Sequence, residues 1–558
     1  MSTTQTNHVP VIIIGGGIVG LCASLFLSNQ GIHSLLVERH AGTSIHPRAR
    51  SVNARTMEIF RSMGIAEAVR EAGASMAPTR GIFSGPSLNS VLEKRPRRKE
   101  GPKSTSWVQS SGIGPENGLF VTQDMLEPAI LKEAREKGGD VRFRTQCLDV
   151  EQDEEKVTVT IKDRETSDIS TVTADYVVAA DGANSPIRSQ LGVSTTGCGK
   201  MGNLLNILFR ADLTDLVKTR EFSLCRIENP EVVGIFTSIN NSDRWVFHLS
   251  YDPLKGEKPE HFSPDRCKEL LRIALGLPEI EVEIISILPW EPSVQVATKL
   301  QHGRIFLAGD AAHQMPPYGG QGANSGISDA YDLTWKLSAV LKGYASSRLL
   351  ETFDIERQPV GKTAADVSSA LADELGLISI KRDWRTIKGF AKVMAYSSGY
   401  GYIYSNESPA VMVEDRWPLG GATWKAWSAS SLLFSLDGRP GTRVPHVTVE
   451  KDGKEISTLD LVGNGFVLIA GSAGEPWITA SENVRKSWSG LLLAGYCVGH
   501  INGAVIDKKR LWETAAGISS SGALLVRPDG YVAWRQRRAP VSIQNTLEDV
   551  LKHLLCFK

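Results

Sequence analysis

Apolar residues in this chain arrive first as an unbroken run. Residues 9–14 read Val-Pro-Val-Ile-Ile-Ile, the composition of a parallel strand buried on both faces. Gly15, Gly16, Gly17 and Gly20 follow, and Leu21, Leu25, Phe26 and Leu27 then fall close to helical spacing, so a helix is expected over 21–30. A second apolar run over 33–37 ends at Glu38. Two more short strands are expected: one over 176–180 that runs into Asp181-Gly182, and one over 303–310 that runs into Ala311-Ala312-His313. A helix is expected over 324–337.

The middle of the chain has a different texture. Segments 204–213, 232–239, 245–251 and 281–288 read as strands separated by turns and predict a mostly antiparallel sheet. Helices and a loop are expected over 360–410, then a turn-rich linker over 435–441. Near the C-terminus, 523–526 and 531–534 flank Pro528-Asp529-Gly530, a hairpin signature. The whole reads as an α/β protein of several domains, since 558 residues exceed what one core organises.

Charge and cysteine usage narrow the partners. Lysine plus arginine and aspartate plus glutamate each total 62, which argues against nucleic acid or an anionic membrane as the main partner. No apolar run reaches the ~18 residues of a membrane span, and residues 1–7 lack the apolar stretch of a signal peptide. The 7 cysteines are scattered, with no Cys-x-x-Cys pair. That fits a reduced, cytoplasmic protein without a disulfide framework or zinc site, and no metal is expected. The basic run at 94–99 is read as a surface loop, because Pro and Gly neighbours break structure around it.

The first glycines carry specific chemistry. Gly15 permits a tight turn, Gly17 lets backbone approach a pyrophosphate, and Gly20 lets helix and strand pack closely. Ile18 and Val19 open a helix whose free amides and dipole attract phosphate. Glu38 stands close to the ~20-residue spacing of an acidic ribose ligand. It would accept from ribose hydroxyls and repel a 2′-phosphate, so the unit suits FAD or NAD better than NADP. Arg39 follows it.

Three segments together resemble the flavoprotein aromatic hydroxylases, the class A flavin monooxygenases. They are Gly15 to Gly20, then Asp181-Gly182 with Ser185 and Arg188, then Gly309-Asp310 with Pro316-Pro317-Tyr318-Gly319-Gly320-Gln321-Gly322-Ala323-Asn324. The resemblance runs from residue 9 to about residue 359. The C-terminal hairpin is similar to that of the phenol and polyketide hydroxylases, which end in a thioredoxin-like domain. The resemblance implies FAD as resident cofactor, contacted by Gly15, Gly17, Ile18, Val19, Gly20, Glu38, Arg39, Arg48, Gln123, Asp181, Gly182 and Arg188. Asp310 would bind the ribityl hydroxyls, and Pro317, Gly320, Gly322, Ala323 and Asn324 would face the flavin N1/O2 edge. Gln123 reads equally well as a solvated polar residue and Arg55 as a helix salt bridge. Asp310 as a plain helix cap leaves the glycine loop without a purpose.

The same resemblance implies an FAD-binding domain assembled from 1–80, 105–190 and 300–365, and a substrate domain from 81–104 and 191–299. A helical and loop connector follows over 366–435. A thioredoxin-like domain spans 436–558; lacking Cys-x-x-Cys, it cannot run thioredoxin chemistry, and a homodimer is a further expectation. NADPH or NADH would bind transiently and reduce FAD. Reaction with O2 would then insert one oxygen into a phenolic or polyketide-type ring through a flavin C4a-hydroperoxide. Baeyer–Villiger or epoxidising chemistry on a polyketide-like substrate is the alternative. A halogenase is disfavoured, since Trp424-Lys425-Ala426-Trp427 has the wrong spacing. Arg50, Arg210, His248, Tyr251 and Tyr318 are the catalytic candidates, and spacing does not choose among them. His248 also reads as a satisfied half-buried histidine, His313 as a residue that fixes its loop, and Trp245 and Trp290 as either pocket or core.

Overall fold

The computed structural model describes residues 7–76, 81–97, 113–379, 384–405, 407–412, 436–499 and 504–557. The end of the basic run and the segment around Trp424 lie outside the described residues. The β-branched run forms the strand Asn7–Ile14 at the centre of a sheet. Ser34–Val37 and Ile169–Ala179 flank it in parallel, and Asp140–Arg142 and Ile305–Leu307 extend the parallel set on either side. Register pairs Ile14 with both Val37 and Ala179, and Ala179 with Leu307. Four strands therefore finish in one row, and the turn after each opens on the same edge.

The helix Ile18–Asn29 is buried from Gly20 to Leu27, which is why its sequence shows no narrow apolar stripe. Phe26 meets Tyr331 of the helix Gln321–Leu341 edge to face, centroids 5.2 Å apart. A second sheet roofs this unit. Its order is Glu283–Trp290, Leu204–Arg210, Arg244–Ser250, Val233–Ser238, Leu224–Glu228 and Ile82–Gly85, antiparallel except for the last pair. Leu224–Glu228 escapes the sequence reading because Arg226 and Glu228 interrupt its apolar pattern; Arg226 is buried against Asp373 and the Ile378 carbonyl. Alternation gives the roof two faces. Phe209, Trp245, Phe247 and Tyr251 share a core with the helix Pro264–Leu275, whereas Leu204 and Ile235 point the other way.

The C-terminal residues form a third sheet. Phe466–Ala470 and Leu493–Gly499 run parallel around the helix Glu475–Ser487; the hairpin Ala523–Val526 and Val532–Gln536 and the helix Ile543–Leu554 complete a thioredoxin-like arrangement. Its cysteines, Cys497 and Cys556, are both free thiols.

This unit joins the rest through buried charges. Arg527, from the hairpin turn, donates to Glu356 (2.6 and 2.9 Å), Asp332 (2.9 Å) and Asp529 (2.5 Å). Lys336 donates to Asp332 and Glu356, both at 2.7 Å. Nearby, Arg443 grips Glu58 through Nε (2.8 Å) and Nη2 (2.5 Å), while Tyr400 donates to the same carboxylate at 2.8 Å. A buried charge is costly unless it is paired, so these contacts fix how the two units sit together. Arg443→Met takes away the bidentate partner of Glu58 and leaves it with Arg55 at 3.2 Å and Tyr400, and is expected to cost roughly 3 kcal/mol of stability. The melting temperature falls and the C-terminal unit becomes sensitive to limited proteolysis, while Glu58→Gln combined with Arg443→Met recovers part of the loss. An unchanged melting temperature in the single variant would count against this role.

Candidate functional site

The turns at the aligned strand ends build one cradle. Gly15 has φ 109°, and a Cβ there would lie 2.2 Å from the Ala180 carbonyl oxygen; one on Gly20 would lie 1.9 Å from that of Gly15. A Cβ on Gly17 would meet only Glu127 Oε1, at 3.7 Å. The turn is thus closed on its protein side and open at Gly17. Glu38 accepts from the Gly16 amide (2.6 Å) and the His40 amide (2.8 Å), which fixes its carboxylate beside the turn. Arg39 is exposed, and its carbonyl takes a bond from Arg164 at 2.9 Å.

Glu127, which no sequence motif marks, stands at the open side of the turn. It lies one helical turn beyond Gln123, and Gln123 donates to it at 2.6 Å; the Ser44 amide donates to its other oxygen at 2.7 Å. Burial pushes its carboxyl up, against the pull of these bonds. The i, i+4 spacing from Gln123 was the available signal.

The second and third turns are stapled together. Arg188 donates to the Ala183 carbonyl (2.8 Å) and the Ala311 carbonyl (3.0 Å), so its guanidinium holds protein to protein. Asp181 accepts from the Ile187 amide at 3.3 Å, closing its own turn, and Gly182 beside it has open space where a side chain would be. Asp310 makes no hydrogen bond among the described residues. It is open to solvent yet stands in a concave groove, where the surrounding protein raises its carboxyl and His313 and Arg48 draw it back. Beneath it lies a fully buried set: Asp329 accepts from His313 Nε2 (2.7 Å), Arg357 Nε (2.8 Å) and the Gly309 amide (3.1 Å). Burial opposes the charge on Asp329, but His313 and Arg357 overcome it and hold the carboxyl near 2.

The glycine loop is pinned at both ends. Tyr318 donates to the Gly376 carbonyl at 2.9 Å. Asn324 spends its whole side chain: Oδ1 accepts from the Asn53 amide (2.8 Å) and Thr56 hydroxyl (2.6 Å), and Nδ2 donates to the Gly320 carbonyl at 2.6 Å. Pro317 is exposed, and Gly322 and Ala323 fall in the first helical turn, where amides lack intrahelical acceptors. Arg48 is exposed near Asp310 and His46.

The catalytic candidates are dispersed. Tyr251 faces the core behind the roof, against Phe262, because strand alternation turns it away from the cleft. Trp245 lies in the same core and donates to the Ala211 carbonyl at 3.1 Å. Arg210 is exposed at a strand end. His248 faces the cleft side, but both ring nitrogens are engaged, by Asn206 (2.5 Å) and Thr237 (3.1 Å), and burial holds its pKa near 3. Trp290 packs beside it, ring centroids 5.9 Å apart. Arg50 reaches from the glycine-loop side to Ser223 on the roof side.

The residues fit FAD: a phosphate cradle open at Gly17, an unpartnered Asp310 in the groove, and free helix amides beyond it. Residues 8–368 match the FAD binding domain family, and residues 437–556 match the family described as aromatic-ring hydroxylase, C-terminal. The chain belongs to the FAD-dependent aromatic-ring hydroxylases. It is 37% identical to a tetracenomycin A2 monooxygenase-dioxygenase from Streptomyces glaucescens, over 99% of this chain and 97% of the relative. It is also 37% identical to a 4-methyl-5-nitrocatechol 5-monooxygenase from a Burkholderia species, over 100% and 99%. The crystal structure of aklavinone-11 hydroxylase with FAD and aklavinone superposes with a TM-score of 0.82 at 32% identity, covering 100% of both chains. The protein is an FAD-dependent monooxygenase that inserts oxygen into an aromatic small molecule.

Two outcomes follow from this geometry. Asp310→Ala is expected to weaken FAD retention by at least about tenfold, read as flavin absorbance per purified chain; full retention would contradict the ribityl role. Asp329 titrates below its unfolded value of about 3.9, so its stabilisation is complete above that pH and is lost as pH falls through about 2. Urea midpoints of wild type and Asp329→Asn are therefore expected to differ most near neutrality, with about half of the difference gone by pH ~3.

Proposed function

We propose that the protein hydroxylates a phenolic, polycyclic polyketide-type ring, with NADPH or NADH as a transient electron donor. The observation that carries this reading is the inner face of the roof. Leu204 and Ile235 share one apolar cluster with Tyr318 of the glycine loop and with Val367, Leu371, Leu377 and Ile378, and Trp290, only partly buried, packs against it. A broad apolar wall therefore stands against the flavin-facing loop, a surface suited to fused rings. The family relatives that act on tetracenomycin A2 and aklavinone support the same substrate class.

Bound FAD supplies the redox chemistry and the activation of oxygen. The cradle of Gly15, Gly17, Ile18, Val19 and Gly20 would hold its pyrophosphate, with Glu38 and Arg39 at the ribose. Arg48, Gln123, Asp181, Gly182 and Arg188 would support the phosphates through the stapled turns, and Asp310 the ribityl chain. The first-turn amides of the Gln321–Leu341 helix, with Pro317, Gly320, Gly322, Ala323 and Asn324 shaping the loop, offer preorganised donors to negative charge on the ring edge. Leu204, Ile235 and Trp290 exclude water from the cleft. His248, with both nitrogens committed to Asn206 and Thr237, shapes the wall.

The domain division at 1–80, 105–190 and 300–365, at 81–104 and 191–299, at 366–435 and at 436–558 belongs to this reading, as do a cytoplasmic location and a homodimer. The 7 free cysteines support the location, and among the described residues no helix is long and apolar enough to cross a membrane. Light scattering on the purified protein tests the dimer.

The decisive experiment follows NADPH and NADH oxidation by the purified yellow protein with a panel of phenols and aromatic polyketides, with product mass recorded. A gain of one oxygen in an intact ring supports hydroxylation, a lactone indicates Baeyer–Villiger chemistry, and no oxidation with any substrate removes both. Trp290→Ala is expected to let water into the cleft and raise the hydrogen peroxide released per NAD(P)H by roughly threefold. Unchanged coupling would argue against Trp290 as part of the wall.

A further inference from the structure

Arg50 stands where the sheet-edge turns meet the roof. Its carbonyl accepts from the Val121 amide at 3.1 Å, and the next residue lies under the glycine loop, where a Cβ on Gly320 would approach Ser51 Oγ to 3.1 Å. The side chain crosses to the roof, where Nη1 donates to the carbonyl (3.2 Å) and hydroxyl (3.1 Å) of Ser223. Its other two nitrogens, Nε and Nη2, are buried and have no hydrogen-bond partner.

That pattern contrasts with five arginines buried elsewhere in the protein. Arg55, Arg226, Arg357, Arg443 and Arg527 each face a carboxylate. Around Arg50 burial acts alone and lowers its pKa to about 10, with no acid pulling it back. It remains a cation at neutral pH. An unpaired buried charge with two unmet donors is costly, and the cost is offset only if an anion arrives. Arg50 is half-buried, and its charge acts on His248 of the roof.

We propose that Arg50 is the counter-ion for an anionic oxygen on the aromatic substrate, a phenolate or an enolised ring carbonyl, and that it selects acidic rings. The proposal rests on the hydroxylase reading and adds to it the ionisation state of the substrate. A turn of the guanidinium about its terminal bonds, with Ser223 as pivot, presents Nε and Nη2 to the ring oxygen. The other ionisable groups on this wall do not compete. His46, buried with neither ring nitrogen partnered, is held near 4 by burial first and Arg48 second; His248 is held near 3. Both are neutral when the substrate oxygen ionises. Arg244 is committed to Asp124 at 2.7 Å. A ring oxygen stabilised as the anion also makes the ring more electron-rich, the form that accepts oxygen most readily.

The test uses the FAD-loaded enzyme and alizarin, a hydroxylated anthraquinone whose colour reports its ionisation, with anthraquinone as a probe that cannot ionise. Alizarin bound to the wild type is expected to ionise at least about one pH unit lower than alizarin bound to Arg50→Gln, a tenfold shift in the ionisation equilibrium. Arg50→Lys keeps the charge and falls between the two. Anthraquinone binds wild type and Arg50→Gln within about twofold. Equal ionisation of bound alizarin in wild type and Arg50→Gln overturns the proposal. A loss of FAD affinity or a slower flavin reduction in Arg50→Gln, with alizarin ionisation unchanged, overturns it in favour of the cofactor as the anion. Because the readout is ionisation of a bound probe, it fails independently of oxygenation, which is read by product mass.

Discussion

Everything functional in this protein depends on strand register. Ile14, Val37, Ala179 and Leu307 lie in one row because the parallel strands pair in phase. A strand shifted by a single residue would reverse which side chains face the covering helices and would pull its turn off the common edge. Segments separated by well over a hundred residues in sequence thus meet within one groove. The buried runs Val11 to Ile14 and Ile305 to Leu307 make that phase hard to lose, since slippage would expose apolar side chains that are now fully covered.

The second dependence is on saturated buried charge. Asp329 serves the Gly309 turn, His313 and Arg357 at once, and Arg527 gathers Glu356, Asp332 and Asp529. Such groups add little net stability over apolar packing, but any partner left alone is expensive. They act as orientation devices: the third turn and the hairpin each have one arrangement in which all partners are met.

Much of the fold was legible in the sequence because its signals are local. An unbroken β-branched run, glycines at a strand end and an aspartate after an apolar strand each reflect nearest-neighbour physics. What stayed hidden was tertiary. Tyr251 reads as a roof residue with a phenol to offer, yet only the location of the Pro264–Leu275 helix decides that its face is the core. Leu224–Glu228 carries a charge whose partner, Asp373, is far away in sequence. Glu127 and His46 carry no motif of their own, and their burial beside the first turn and the roof is set by tertiary contacts. For His248 the plain reading holds, a half-buried histidine satisfied at both ring nitrogens.

The hairpin turn has a consequence for modularity. Arg527 and Asp529 arrive from the last part of the chain, whereas Lys336, Asp332 and Glu356 belong to the two long helices beside the groove. Deleting everything after residue 436 would leave two carboxylates facing one ammonium and would uncover the apolar side of Trp335 that the terminal sheet now packs against. The terminal sheet, though it carries no redox-active cysteine pair, is therefore an internal strut rather than an appendage. Shuffling it between relatives would succeed only where the donor brings the same arginine to the same socket.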